Sequence, residues 1–445
     1  MKKHFSTFAL GTVAISLLMG LSLQSVSTAS GPGTHGVGPG PVLQGAGPWQ
    51  VNNGADTIAR ACDNSSATTA SCNALVMAQD ATNGQSPFGS GLNFGITQIN
   101  GIGNGHSIAN WTIAENPNAL SPAQIIAAYN FPTTNATGGL PGTGKTIAIV
   151  DAYNDPNIAS DLATFDTQFG IPQLASCTIT PTSGPCFQKV SETGGTTYPA
   201  YNDGWAMEIS LDVEWAHAIA PGASILLVEA TTNGWADLAK SVGYASPHAQ
   251  YVSMSWGGAE NPGEKNYDAA FSSTSDSYFA AAGDAGLHAQ WPSTSPKVIS
   301  VGGTTLELNS SGTVASETGW VNSGGGCSTY ETATAAQVVY PTYARVNCAG
   351  KKATPDVTAD ADPNTGGFVY NSNDFSGLYG WFTAGGTSLS TPIWAARAAN
   401  SGVVVNSAYI YGANSINFND ITQGGNSAGC LVGYDMCSGL GSWNN

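Results

Sequence analysis

The sequence predicts an α/β protein built on a doubly wound parallel sheet with helices on both faces. Short continuous apolar runs recur from about residue 120 onward: Thr146–Val150, Ser224–Val228, Tyr251–Ser255, Tyr278–Ala282 and Val298–Val301. Runs without polar alternation suit strands buried on both faces. Helix-like stretches separate them, the alternation that yields parallel strands. Several runs also end on a polar residue or glycine: Asp151, Trp256-Gly257-Gly258 and Gly283-Asp284. In open α/β sheets the ligand crevice lies at the carboxyl ends of the strands, so these are the places to look for chemistry.

At the start of the chain, Lys2, Lys3 and His4 precede an apolar stretch from Phe8 to Leu23, followed by the small residues Ser27-Thr28-Ala29. That pattern reads as a secretory leader over 1–29, and the stretch is short for a membrane span. Residues 30–48 are rich in Gly and Pro with no apolar period. They read as a flexible segment that opens the stretch 30–118, ahead of a main domain over 119–445. The eight cysteines fall as near neighbours, Cys62 with Cys72, Cys177 with Cys186, Cys327 with Cys348 and Cys430 with Cys437. An even count at this spacing suits local disulfides in an oxidising compartment, although eight cysteines permit about 105 pairings.

Composition narrows the function classes. The 445 residues carry 29 acidic and 12 basic side chains, a formal net charge of −17. No basic cluster is present to neutralise phosphates, which argues against nucleic-acid binding. Protonation of the carboxylates in acid would leave few positive charges to repel one another, so acid tolerance is expected.

Residues 139–146 (GLPGTGKT) satisfy the phosphate-loop pattern but in the wrong context. The mechanism needs a strand before the loop and a helix after it, whereas here the strand follows, so the stretch reads as a turn. Asp356, Asp360 and Asp362 match no calcium-loop spacing and read as a polar loop edge ahead of Pro363.

Two stretches keep their chemistry. In 385–392 (GGTSLSTP), Ser388 follows two glycines and precedes a helix-like stretch, Pro392–Asn400. Glycine permits a tight turn, and a helix N-terminus aims unpaired amides at developing negative charge. Taken alone, this serine suits a helix N-cap equally well. Between Asp203 and Pro221, apolar residues at Ala206, Ile209, Val213, Ala216 and Ala220 keep a helical period. Glu208 and Asp212 then share one face, a turn apart, where mutual repulsion raises a pKa and gives an acid/base pair suited to low pH. In isolation the pair reads as a solvated stripe. None of His217, His248 or His288 lies in a His-Gly-Thr context.

The serine stretch GGTSLSTP resembles the nucleophile motif of the sedolisin, or serine-carboxyl peptidase, family. The similarity runs in family order from about Leu120 to Trp443 through EISLDVEWAHAIAPGASILLVEA, VSMSWGGAE, AAAGDAG, WPSTSPKVISVGGTTL, TPDVTADADPNTGG, FNDITQGGN and GYDMCSGLG. It implies a subtilisin-like fold and a triad with Ser388 as nucleophile, Glu208 as general base and acid, and Asp212 as its orienting partner. Asp284 matches the family's oxyanion-hole aspartate, and Trp256 a tryptophan near the active site.

The resemblance also implies a Ca²⁺ site from the carboxylates of Asp420 and Asp435 and the carbonyls of Ile421, Leu431 and Gly433. Leu431 stands where the family usually has Gly. The expected protein is a secreted, monomeric, acid-acting endopeptidase made as a precursor, acting on proteins and peptides away from nucleic acid and membrane. A catalytically inactive secreted binding protein on the same fold is the alternative. A histidine-dependent enzyme using His217 or His248 is a third. The resemblance also implies an N-terminal prosegment, for which 30–118 is available, shorter than the family's, and the chain between Pro392 and Asp420 is short for a helix.

Overall fold

The computed structural model describes residues 49–52, 56–78, 119–177, 184–375, 378–412 and 418–444. The expected leader at 1–29 and the stretch 30–48 lie outside the described residues, as does 79–118 of the expected prosegment. The chain begins with β1 (Trp49–Asn52), β2 (Asp56–Arg60), β3 (Ser71–Cys72) and β4 (Leu75–Ala78). After α1 (Pro122–Ala128) come β5 (Thr146–Ala152), α2 (Ile158–Phe169), β6 (Cys186–Ser191), α3 (Asp203–Ile219) and β7 (Ser224–Ala230). Next are α4 (Trp235–Ala245), β8 (Tyr251–Met254), β9 (Trp256–Ala259), β10 (Ser277–Ala281), β11 (Ile299–Leu308) and β12 (Val357–Asp360). A hairpin, β13 (Gly367–Phe375) and β14 (Leu378–Gly385), leads into α5 (Thr387–Ser401).

The main sheet runs β12-β11-β10-β8-β5-β7-β6, parallel throughout. Every apolar run singled out from the sequence lies in it. Ile147, Ala148, Ile149 and Val150 are all fully buried. Successive side chains of a strand point to opposite faces, so both faces of β5 are covered. Strand order reverses between β5 and β8, which opens the crevice at their carboxyl ends.

Helix α3 packs against β5 and β7 beside it. Asn202 caps it by accepting from the Trp205 amide, and the helix ends ahead of Pro221. Packed against α2, α5 and β13, it is buried from Gly204 to Ile219. Glu208 and Asp212 are therefore fully enclosed, which removes the solvated-stripe reading. Helix α5 forms despite the short chain that follows it.

A second sheet, β1-β2-β4-β14-β13, is antiparallel, and β3 pairs antiparallel with β9. Residues 56–78 are thus seated against the main body. All four neighbouring cysteine pairs are disulfide-bonded. The stretch 139–146 is a turn entering β5, as its context suggested. Asp356, Asp360 and Asp362 differ from expectation: they lie on and beside β12, buried, and not on a loop edge. Partners hold their carboxylates there, Asp356 by the Ser300 amide and Lys352, Asp362 by Thr305 and Asn364, and Asp360 through Oδ1 by the Leu306 amide and Thr365, its Oδ2 being buried without a partner.

Candidate active site

Ser388 sits in the first turn of α5, with Gly386 as the N-cap at φ +85°. Only glycine adopts that backbone freely, and a Cβ there would also strike the Asn73 carbonyl oxygen. Pro392 has no N–H, so the Ser388 carbonyl lacks its helical partner. The Ser255 hydroxyl, just past β8, lies 3.3 Å from that carbonyl and 2.8 Å from Asp212 Oδ1. The Ser388 hydroxyl donates to the Ser255 carbonyl at 3.2 Å.

Around this serine stand buried carboxyls from a helix, a strand and a loop. Glu208 and Asp212 come from α3, Asp151 from the end of β5 and Asp284 from the loop after β10. Burial drives the Glu208 carboxyl well above the usual range, and the charge of Asp151 adds to this. The Ser388 hydroxyl and the Ala74 amide face Glu208 and favour its ionised form, though neither closes to a hydrogen bond. Asp212 is raised by burial, then by Asp151 and Glu208, and the Ser255 hydroxyl opposes the rise. Asp151 is pushed to about 8 by burial and Glu229, and neither of its oxygens has a hydrogen-bond partner. Donors thus face Glu208 and Asp212 and none reaches Asp151, so a charge on either of the first two meets hydrogen-bond partners that one on Asp151 lacks.

Asp284 is fixed from one side only. Its Oδ1 accepts from the Thr387 amide at 2.8 Å and the Thr387 hydroxyl at 2.9 Å. Oδ2 is buried without a partner. Burial raises this carboxyl to about 6, with Arg60 pulling the other way. Oδ2 and the Asn73 carbonyl oxygen both lie within 2.6 Å of where a Gly386 Cβ would be, so they share one small space beside the Ser388 amide. A protonated Oδ2 has a single direction in which to donate, toward that space.

The structure therefore brings Ser388, Glu208, Asp212 and Asp284 together. The histidines are elsewhere. His217 pairs with Asp166 at 3.4 Å and the Pro172 carbonyl at 3.0 Å, and it lies nine residues beyond Glu208, roughly 13 Å along the helix. His248 stacks on Tyr244, and His288 is exposed. Trp256 donates to the Val150 carbonyl and packs against Trp235 and Trp291. Sequence reasoning gave no role to Asn73 or Arg60. It noted Asp151 only as a strand-end aspartate.

Raised carboxyl pKa values also make stability depend on pH. Asp151 (about 8), Glu229 (about 7) and Asp284 (about 6) hold protons in the folded chain that they lose near pH 4 when unfolded. Their stabilisation is complete below about pH 4 and is lost as pH rises toward 8. The melting temperature of the Ser388→Ala chain should thus fall between pH 4 and pH 8; a rise over that interval would contradict the linkage.

The expected calcium residues also meet. Asp420 Oδ2 accepts from the Gly433 amide at 2.7 Å, and Asp435 Oδ2 from the Leu431 amide at 2.5 Å. Both carboxylates thus grip one loop, which the Cys430–Cys437 disulfide brackets. Among the described residues no group of three or more His, Cys, Asp or Glu side chains converges as a metal site. An all-oxygen set of two carboxylates and loop carbonyls still fits a hard cation, provided those amides turn away.

Fold and site together define a class: a subtilisin-like sheet whose helix-borne serine faces buried carboxyls, with no histidine among the hydrogen-bond partners described around it. Residues 194–406 match the subtilase family. Kumamolisin from Bacillus sp. (strain MN-32) is 29% identical over 370 residues, 73% of this chain and 62% of that protein. Sedolisin from Pseudomonas sp. (strain 101) is 34% identical over 176 residues, 34% of this chain and 28% of its own. The chain thus spans less than two thirds of the length of these relatives. A solved structure of Pseudomonas sedolisin, a serine-carboxyl proteinase complexed with two molecules of pseudo-iodotyrostatin, superposes with a TM-score of 0.60. It is 23% identical and covers 73% of this chain and 95% of that one. The chain is thus similar to the sedolisin-type peptidases and shares their subtilisin-like fold.

Proposed function

We propose that this chain is a secreted, acid-acting serine-carboxyl endopeptidase. The observation that carries the reading is the placement of Ser388 between two buried carboxyls on α3 and the unpartnered oxygen of Asp284. Ser388 Oγ attacks the scissile carbonyl carbon while Glu208 takes its proton, and Asp212 holds Glu208 in place. The oxyanion accepts from the Ser388 amide and from protonated Asp284. Glu208 returns the proton to the leaving amine, and a water molecule activated by Glu208 then hydrolyses the acyl-enzyme. Asp284 must keep its proton, so turnover falls as pH rises through about 6. The leader reading and four disulfides support an extracellular setting.

The test compares digestion of a denatured protein by wild type and Ser388→Ala across pH. Serine-dependent cleavage confined to acid is expected. No cleavage by folded wild type at any pH would favour the binding-protein alternative, and activity confined to alkaline pH a histidine-dependent site.

Asp420 and Asp435 would hold Ca²⁺ with the carbonyls of Ile421, Leu431 and Gly433, where the ion would tie the C-terminal loop together. Added Ca²⁺ should raise the melting temperature in proportion to the logarithm of its concentration above Kd. Asp435→Asn should remove that increment; an equal increment in the variant would place the ion elsewhere.

A further inference from the structure

Asp284 stands in a loop with little stiffness of its own. Gly283 and Gly286 lie on either side of it at φ +108° and +70°, and Ala285, Leu287 and His288 are exposed. An oxyanion donor has to be held to within about 0.5 Å of its working position. Thr387 grips the loop from one side: its hydroxyl accepts from the Gly283 amide at 3.0 Å, and its amide and hydroxyl both donate to Asp284 Oδ1. Residues 322–324 grip it from the other. The Gly324 amide donates to the Gly283 carbonyl at 2.6 Å, and the Gly286 amide donates to the Asn322 carbonyl at 2.9 Å. Gly324 lies so close that a Cβ there would come within 2.0 Å of the Ala282 carbonyl oxygen. A shift of residues 322–324 is therefore passed to the chain on both sides of Asp284.

Residues 322–324 are themselves irregular, and one side chain ties them down. Asn426 is fully buried. Its Nδ2 donates to the Ser323 carbonyl at 2.8 Å and to the Met436 carbonyl at 2.9 Å, while its Oδ1 faces the Ala428 amide at 3.4 Å. Ser323 Oγ accepts from the Gly303 amide of β11 at 2.8 Å. Among neutral side chains only Asn and Gln carry two donors on one nitrogen, so this one amide joins backbone carbonyls from two separate stretches of chain. Backbone bonds run beside it, from the Gly319 amide to the Gln423 carbonyl at 2.8 Å and from the Gly425 amide to the Gly319 carbonyl at 2.9 Å. Gly325 leaves the space for the tie, since a Cβ there would lie 2.2 Å from the Met436 carbonyl oxygen and 2.9 Å from Asn426 Nδ2. Met436 belongs to the loop that the Cys430–Cys437 disulfide closes. Asn426 thus links a cross-linked loop to the segment that holds Asp284.

We propose that Asn426 is a positioning residue for the oxyanion hole: through Ser323, Gly324 and Gly283 it holds Asp284 in place beside the Ser388 amide. The inference rests on the peptidase reading above and deepens it at Asp284. Without the Asn426 amide the buried Ser323 carbonyl loses its donor, a cost that residues 322–324 relieve by moving, and Asp284 moves with them. A displacement of about 1 Å at a reacting group is enough for roughly 10²-fold in rate.

The experiment is a double-mutant cycle in the full chain, with kcat and KM measured on a peptide substrate in acid for wild type, Asn426→Ala, Asp284→Ala and the pair. Asn426→Ala should lower kcat roughly 10- to 10²-fold and leave KM within about twofold. In the Asp284→Ala background the same substitution should change kcat by less than about threefold, because the group it positions is already gone. Equal losses in both backgrounds would show that Asn426 acts on the fold at large and would overturn the inference, as would an unchanged kcat in Asn426→Ala. Both results leave the peptidase reading standing, whereas a folded wild type that cleaves nothing overturns both. Wild-type kcat in Asp284→Ala would remove the oxyanion role and the inference with it. Thermal unfolding checks each variant, and Asn426→Ser, which leaves a smaller cavity, replaces Asn426→Ala in the cycle if the alanine chain does not fold.

Discussion

Replacing Ser388 with alanine should lower peptide-bond cleavage by roughly 10⁴- to 10⁶-fold, because nucleophile and base act as a unit whose members are not additive. Glu208→Ala should cost about as much, and adding it to Ser388→Ala should cost little more. The reason lies in the enclosure of α3. Glu208 is fully buried, and the donors that favour its charge are the Ser388 hydroxyl and the Ala74 amide. Removing Glu208 takes away the carboxyl that faces the Ser388 hydroxyl, and Asp212 is engaged instead by the Ser255 hydroxyl. Initial rates on a peptide substrate in acid check this, with folding verified by thermal unfolding. Substantial turnover in either single variant would contradict the assignment.

Asp284→Asn should move the alkaline limit of activity upward, at a cost in acid smaller than the roughly 10²- to 10³-fold in kcat that loss of an oxyanion donor carries. The sign follows from which form donates. Protonated Asp284 offers an O–H, and it loses this donor as pH rises through about 6. Asparagine offers an N–H at every pH, provided its carbonyl keeps the Thr387 amide and its nitrogen takes the place of Oδ2. The measurement is kcat/KM against pH for both chains. An unchanged alkaline limb would show that some other group sets it, the Asp151, Glu208 and Asp212 cluster being the next in line.

How much was legible in the sequence differs from residue to residue for physical reasons. The strands carrying Ile147 to Val150 or Tyr251 to Met254 are read from composition, since burial on both faces favours apolar runs broken at most by a small residue such as Ser253. Glu208 and Asp212 were readable as a pair because a helix fixes what four residues of spacing means. Their complete burial was not, because it comes from β13 and α5, far away in the chain. Asp356 and Asp360 were misread for the same reason: a buried aspartate and a loop aspartate look alike until partners such as Ser300 and Leu306 are placed. Asn73 was least legible. Its neighbours, CDNSSATTASCN, carry no hydrophobic period, and what seats them is backbone contact with Ser255, Gly386 and Ser388. The Cys62 and Cys72 spacing was the one signal that this stretch is ordered.

The central claim is that Ser388 forms a covalent bond to substrate in acid with carboxyl assistance. Wild type mixed with a peptide ester at acidic pH, quenched with stronger acid and mapped by mass spectrometry, tests it directly. The acyl group should appear on the peptide containing Ser388, and Glu208→Ala should abolish its formation. An acyl group on a different residue, or none in a folded chain that still turns over the ester, would contradict the account.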